Sequence, residues 1–194
     1  MIPIRDNQLN RHLPLVTWTL ILLNIAIYLW DRQGQVFGPS LVFADLAMRP
    51  REVVEALPGT GDRFALVTMF TSMFLHANLV HLLGNMVFLL AFGNSVENTI
   101  GPFRYALYYI FWGLVAGSAH VFVDSSSIIP TVGASGAIGG VLGCYFLLFP
   151  GNKIEFIIPI LPFWPFVVSA WIMLGMWFLW QIFVPQQGVA NWAH

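Results

Sequence analysis

Charged residues are scarce in this sequence. Only 9% of its 194 residues are Asp, Glu, Lys or Arg, whereas soluble domains carry roughly a quarter. Hydrophobic residues make up 58% of the chain and aromatic residues 15%. So few charges could not cover this much apolar surface in water, and they are separated by long uncharged runs. The composition therefore excludes an ordinary soluble domain and is typical of a polytopic membrane protein.

Two further scarcities narrow the possible functions. Eight Lys and Arg against nine Asp and Glu give a formal net charge of −1, so the chain has no basic field that would bind nucleic acid. The single cysteine, Cys144, excludes an internal disulfide and a cysteine-based zinc cluster. We therefore expect no nucleic-acid partner, no metal and no cofactor.

The uncharged runs predict an all-α fold, a polytopic bundle of transmembrane helices. A spanning helix needs about 20 apolar residues. Runs of suitable length predict segments at about residues 13–30, 78–96, 103–123, 134–149 and 163–184. A sixth segment begins near residue 189, and the sequence covers only about two turns of it. We expect one membrane domain over residues 1–194, with the sixth helix cut short.

The first loop, residues 31–77, is longer than a plain connection should be. Residues 49–57 read as a short amphipathic helix that begins at Pro50, so we expect interfacial helices in this loop. The positive-inside rule gives no orientation, because four basic residues fall on each side of the predicted membrane.

Polar and ionisable residues stand at the starts of the even-numbered segments. Such residues are costly inside a membrane, so each is a functional candidate. All even-numbered segments cross the bilayer in the same direction, and their starts therefore lie on one side. The residues brought to one depth in this way are His76, His81 and Asn85 before and in segment two, Ser135 in segment four and His194 in segment six.

The spacing of these residues also suggests a shared surface. His81 and Asn85 are four residues apart and lie on one helix face. One alternative is that they only bond neighbouring helices, as polar residues in membranes often do. The convergence of several such residues with a serine favours a functional site. His120 has no accompanying motif, and we interpret it as structural.

Ser135 lies within the sequence Gly133-Ala134-Ser135-Gly136. Flanking glycines let the backbone approach a bound chain closely and leave the hydroxyl unobstructed. Other glycines are spaced four residues apart, which is typical of tight helix packing in membranes. These pairs are Gly113 with Gly117, Gly136 with Gly140, and Gly139 with Gly143.

Taken together, three motifs resemble those of the rhomboid family of intramembrane serine proteases, of the bacterial or archaeal type. They are His76-x4-His81-x3-Asn85, Gly133-Ala134-Ser135-Gly136, and Ala190-Asn191-Trp192-Ala193-His194. The resemblance runs from about residue 64 to the last residue. It implies a six-helix bundle in the cell membrane, with the N-terminus in the cytosol and the active site toward the outer face. One departure is Gly139, where many members have an aromatic residue that stacks on the catalytic histidine.

The residue types predict the chemistry of such a site. Ser135 is the predicted nucleophile and His194 its general base, in a dyad without an acidic member. The Ser135 N–H and the side chains of His81 and Asn85 would stabilise the oxyanion. His76 would line the same cavity, and the substrates would be spanning segments of membrane proteins.

Two other functional classes remain open at this point. A rhomboid-like protein could bind membrane clients without cleaving them, although an intact serine and histidine argue against this. A metal or haem protein could use His76, His81, His120 and His194. No carboxylate or thiolate accompanies these histidines at their depth, and the serine would then have no role.

Overall fold

The computed structural model describes residues 2–6, 12–40, 43–158 and 161–175. In chain order, its elements are β1 (Ile2–Asp6), α1 (Leu15–Asp31), α2 (Phe43–Leu46), α3 (Pro50–Ala56), α4 (Phe64–Thr71), a 3₁₀ turn (Ser72–Phe74), α5 (Leu79–Ile100), α6 (Pro102–Val123), α7 (Ser135–Leu148), β2 (Lys153–Ile158) and β3 (Leu161–Ser169).

The first four predicted segments are confirmed as helices. They correspond to α1, α5, α6 and α7, and their bounds differ from the predicted ones by only a few residues. Of these, α5 and α6 are long and apolar enough to cross a membrane, whereas α1 and α7 are shorter apolar helices. The predominantly helical fold class is therefore confirmed.

The fifth predicted segment begins differently from the prediction. Residues 163–169 belong to strand β3, and helical backbone starts only at Ala170. Pro162 and Pro165 account for the difference, because proline in a helix interior removes a hydrogen bond and clashes with the preceding turn. Proline is tolerated on an edge strand, which is the position of β3. Residues 176–194, with the rest of segment five and all of segment six, lie outside the described residues.

A small antiparallel sheet was not expected from the sequence. Its order is β1-β2-β3, so β2 pairs with both neighbours. Phe156 in β2 is opposite Pro3 in β1 and Phe166 in β3, and the two phenylalanine rings stack at 5.7 Å between centroids. The sheet joins the strand before α1 to the chain after α7, and so closes one end of the bundle.

Gly113 on α6 and Gly140 on α7 lie at close contacts between helices, as their spacing predicts. The prediction is wrong for Gly143, where a Cβ would meet nothing within 4 Å in the described part of the chain. A Cβ on Gly113 would lie 3.3 Å from the Cβ of Ala137 and would collide with Met73. A Cβ on Gly140 would collide with the side chain of Trp112 on α6. A Cβ at Gly140 fits only if Trp112 moves, and one at Gly113 would displace the end of the Met73 side chain, so these glycines allow the two helices to lie close together.

The first loop folds as a layer of short helices attached to the chain that enters α7. The predicted helix that begins at a proline is confirmed as α3, with Val53 and Ala56 buried. Met48 and Thr131 exchange two backbone hydrogen bonds of 3.1 and 2.8 Å. The Arg51 amide donates to the Ser127 carbonyl at 3.0 Å. These bonds fix the loop relative to the start of α7.

The opposite end of the bundle depends on a buried carboxylate at the end of α5. Glu97 is only 3% exposed. It accepts hydrogen bonds from the Val16 amide at 2.9 Å, the Thr17 amide at 2.7 Å and the Thr17 hydroxyl at 2.8 Å. The first amides of a helix have no partner within the helix, and α1 has no side-chain cap of its own. Glu97 therefore caps α1 from a different helix and carries the negative charge that a helix N-terminus favours.

We predict that Glu97→Gln lowers the free energy of unfolding by about 1–3 kcal/mol, because an amide replaces one carboxylate oxygen with a donor that faces other donors. Titration with SDS from mild detergent measures this change. Glu55→Gln is the control, since Glu55 forms only an exposed ion pair with Arg51 and exposed pairs contribute about 0–1 kcal/mol. Equal effects of the two substitutions would contradict the capping role.

Candidate active site

The start of α5 places two of the predicted site residues on one face. Asn78 caps this helix by accepting a hydrogen bond of 2.9 Å from the His81 amide, which holds His81 in the first turn. Asn85 follows one turn later and is 8% exposed. Its Nδ2 is buried and has no hydrogen-bond partner among the described residues. Asn85 thus holds an unused donor beside His81.

His76 lies directly against His81. The two imidazole rings are 5.1 Å apart between centroids and meet edge to face at 71°. His76 is 1% exposed, and within the described part of the chain neither of its ring nitrogens has a hydrogen-bond partner. Burial, and after it the neighbouring His81, lower the pKa of His76 to about 3. His76 is therefore neutral at physiological pH and carries a single N–H.

Gly133 brings the serine motif against this pair of histidines. Its φ is +130°, a conformation that favours glycine. A Cβ at this position would lie 2.8 Å from both Cε1 and Nε2 of His81 and 3.5 Å from the Ser135 Oγ. The His81 ring and the Ser135 hydroxyl thus flank the same point in space, and only a residue without a side chain fits between them.

Ser135 is the first residue of α7. Its amide therefore has no acceptor within the helix and lies at the positive end of the helix dipole. The Gly133 amide donates to the Ser72 carbonyl at 2.9 Å, which ties the serine motif to the 3₁₀ turn before His76. The arrangement places a hydroxyl, a free amide and an imidazole at one helix N-terminus, as acyl-transfer chemistry requires.

A small cavity of about 30 Å³ opens beside Ser135. The first loop, α6 and α7 all contribute to its wall, through residues that include Met48, Met69, Met73, Gly113, Gly117 and Gly136. A volume of this order holds a water molecule or a small side chain but not a large one. The predicted role of Gly136 as backbone of the motif is consistent with its place in this wall.

The structure thus brings together His76, His81, Gly133 and Ser135, and Asn85 follows His81 by one turn on α5. His194, the predicted base, lies outside the described residues. His120, interpreted as structural, stands apart from this group. Its Nε2 is 3.1 Å from the Thr131 Oγ1, and its ring is 7% exposed.

Sequence reasoning missed one polar group near the site. Arg32 directly follows α1, and its side chain is almost fully buried beside Asp31. In the sequence these two residues only mark the end of the first apolar segment. The signal that was available is the adjacent acid–base pair, whose side chains can satisfy each other when buried.

The fold is helical, with two helices long and apolar enough to cross a membrane, and a serine and a histidine lie close together at the N-terminus of a third helix. Comparison with known proteins agrees, since residues 63–194 match the family described as Rhomboid domain. The chain therefore belongs to the rhomboid family of intramembrane proteases, and it is a membrane protein.

Several curated proteins are similar to part of the chain. RHOMBOID-like protein 5 of Arabidopsis thaliana is 31% identical over 113 residues, which are 58% of this chain and 34% of that protein. Rhomboid-like protein 11, chloroplastic, of the same plant is 34% identical over 63% of this chain and 38% of its own length. Rhomboid protease GluP of Bacillus subtilis (strain 168) is 36% identical over 46% of this chain and 17% of its own length. The chain thus matches well under half of the length of these relatives, and no solved structure shows a significant match.

We predict that Gly133→Ala impairs the site, because the new methyl group would collide with the His81 ring and the backbone conformation would be strained by about 1–3 kcal/mol. The measurement is the rate of cleavage of a membrane substrate at matched folded protein. Gly143→Ala in α7 is the control, since a Cβ there meets nothing within 4 Å among the described residues. Equal rates for the two variants would show that the close approach at Gly133 is not needed.

Proposed function

We propose that this chain is an intramembrane serine protease that hydrolyses a peptide bond in or near the transmembrane segment of membrane-protein substrates. The observation that carries the proposal is the close approach of the His81 ring and the Ser135 hydroxyl across Gly133, at the N-terminus of α7. Membership of the rhomboid family and similarity to a protein named as a rhomboid protease support it.

In this proposal, Ser135 attacks the substrate carbonyl, and His194 takes the hydroxyl proton and later gives it to the leaving amine. A serine hydroxyl is a weak nucleophile without such a base. The pair acts as a dyad. Water then hydrolyses the acyl-enzyme that forms on the Ser135 Oγ. His194 takes a proton from this water and gives it to the Ser135 Oγ as the carboxylic acid product leaves, which regenerates both residues.

The oxyanion of the tetrahedral intermediate would be stabilised by three donors. They are the Ser135 amide, the His81 ring and the Asn85 Nδ2, which has no partner among the described residues. Donors that are already in place need no rearrangement when negative charge develops, and each contributes about 10²–10³ in rate. Neutral His76 would line the oxyanion pocket, and its ring, which packs edge to face on His81, would limit the positions that the His81 ring can take.

The cavity beside Ser135 suggests which substrates fit. Its volume of about 30 Å³ favours a small side chain next to the cleaved bond. Peptide bonds within a helix are shielded by their own hydrogen bonds, so substrates with Gly, Pro or other helix-weakening residues should be preferred. We place the protein in the cell membrane, with its N-terminus in the cytosol and the active site open toward the outer face.

We predict that a fluorophosphonate labels Ser135 and that Ser135→Ala abolishes both this labelling and cleavage of a membrane substrate. Mass spectrometry of the labelled peptide and a gel-based cleavage assay measure the two outcomes. Ser118→Ala is the control, because that exposed hydroxyl only bonds the Leu114 carbonyl of its own helix. Cleavage that persists in Ser135→Ala would exclude the proposal. A wild-type chain that binds substrate without labelling or cleavage would indicate a non-cleaving client-binding protein.

We predict that His81→Ala and Asn85→Ala each lower kcat by about 10²–10³, with a smaller effect on stability, because these donors act when the oxyanion forms. His120→Ala is the matched control. It removes a buried histidine that bonds Thr131 and lies outside the group around Ser135, and kcat should stay nearly unchanged. If His120→Ala were the most damaging of the three, the assignment of the site histidines would be wrong.

A further inference from the structure

A buried ion pair lies immediately after α1. The Arg32 Nη1 donates to the Asp31 Oδ2 at 2.8 Å, and the two side chains are only 3% and 2% exposed. The Ser40 hydroxyl donates to the same carboxylate oxygen at 2.9 Å. The guanidinium also lies over the Tyr28 ring, 3.9 Å from its centroid. Asp31 and Tyr28 thus hold the planar cation in a fixed orientation, and Ser40 in turn holds the Asp31 carboxylate.

The second nitrogen of this guanidinium binds the backbone next to the site histidines. The Arg32 Nη2 donates to the His76 carbonyl at 3.0 Å and to the Ala77 carbonyl at 2.9 Å. These carbonyls precede the Asn78 cap of α5, so neither belongs to the hydrogen-bond ladder of that helix. Polar backbone groups in apolar surroundings need partners, and Arg32 supplies the partner for both.

Two histidines connect the backbone that Arg32 binds to the candidate site. The backbone that Arg32 holds carries the buried His76 ring, which packs edge to face on His81. His81 in turn lies at the point that Gly133 and Ser135 share. Removal of the two hydrogen bonds would free this backbone, and displacement of a catalytic group by about 1 Å can reduce a rate by about 10²-fold.

We propose that Arg32 is a positioning residue that holds the His76–Ala77 backbone and thereby keeps the His81 ring in register with Ser135. The inference rests on the proposed protease function, since His81 is the oxyanion donor there. Lysine cannot replace Arg32, because only the planar fork of arginine reaches a carboxylate and two carbonyls at once. The pairing with Asp31 neutralises the charge, so that a cation fixed by several partners can be kept in the interior.

The test compares Arg32→Lys and the double variant Asp31→Asn/Arg32→Gln with wild type, in the full chain reconstituted in vesicles. The double variant leaves no unpaired buried charge and so preserves folding if the single variant does not. Both should lower kcat about 10- to 100-fold with KM changed less than about twofold. Arg51→Lys is the control, because the Arg51 side chain forms an exposed ion pair with Glu55 in the first loop and the substitution leaves its backbone unchanged.

A second comparison separates positioning from a general loss of structure. In a His81→Ala background the Arg32 substitution should lower kcat less than about threefold, because the ring that Arg32 positions is already absent. The proposal would be overturned if the Arg32 substitution lowered kcat equally in wild type and in His81→Ala. It would also be overturned if the substitution left kcat unchanged or changed KM alone.

Amide hydrogen exchange supplies a readout that does not depend on activity. The amides of residues 78–82 should exchange about 10-fold faster in the Arg32 variants than in wild type, and unchanged exchange would overturn the proposal. A wild-type chain that neither cleaves substrate nor labels at Ser135 would instead refute the proposed function. In that case faster exchange in the variants would still establish that Arg32 holds the His76–Ala77 backbone.

Discussion

Backbone groups at helix ends need hydrogen-bond partners, and in an apolar environment water does not supply them. In this protein, side chains from other elements meet the need at both ends of the bundle. Glu97 at the end of α5 caps the first amides of α1, and Arg32 after α1 binds the two carbonyls that precede α5. The two helices are therefore joined reciprocally: a charged residue at the C-terminal end of each helix binds backbone groups at or just before the N-terminus of the other. The position of His81 depends on this arrangement.

The same constraint explains which parts of the fold the sequence predicts well. Uncharged runs locate α1, α5, α6 and α7 because each helix satisfies its own interior backbone and needs only an apolar surface. The beginning of segment five is different, since Pro162 and Pro165 cannot take part in a helix interior but fit an edge strand. Hydropathy counts those prolines within an apolar run and does not register the missing donors. The conformation of residues 161–169 is decided by pairing with β2, an interaction that the hydropathy of the segment itself does not contain.

The candidate site could be predicted to a similar extent. Helix direction alone places His81, Asn85 and Ser135 on one side, because the starts of alternate segments coincide. That reasoning predicts the depth of these residues in the membrane but not how close they lie to one another within the membrane plane. The contact across Gly133 depends on its φ of +130° and on the hydrogen bond from its amide to the Ser72 carbonyl. The spacing of residues along the sequence predicts neither of them. Arg32 was missed for the same reason, since its partners lie 44 and 45 residues away in the chain.

In the proposed protease, one buried donor at the site lowers stability and serves the reaction. Eight buried side-chain atoms lack a hydrogen-bond partner within the described part of the chain, and three of them are the Asn85 Nδ2 and the two ring nitrogens of His76. An unsatisfied buried polar group costs about 1–3 kcal/mol. In the proposed reaction, negative charge would develop on the oxyanion next to Ser135 and would accept the hydrogen bond of the Asn85 Nδ2. Donors kept free in the resting protein stabilise that charge more than the substrate, and preferential stabilisation of the transition state is what accelerates a reaction.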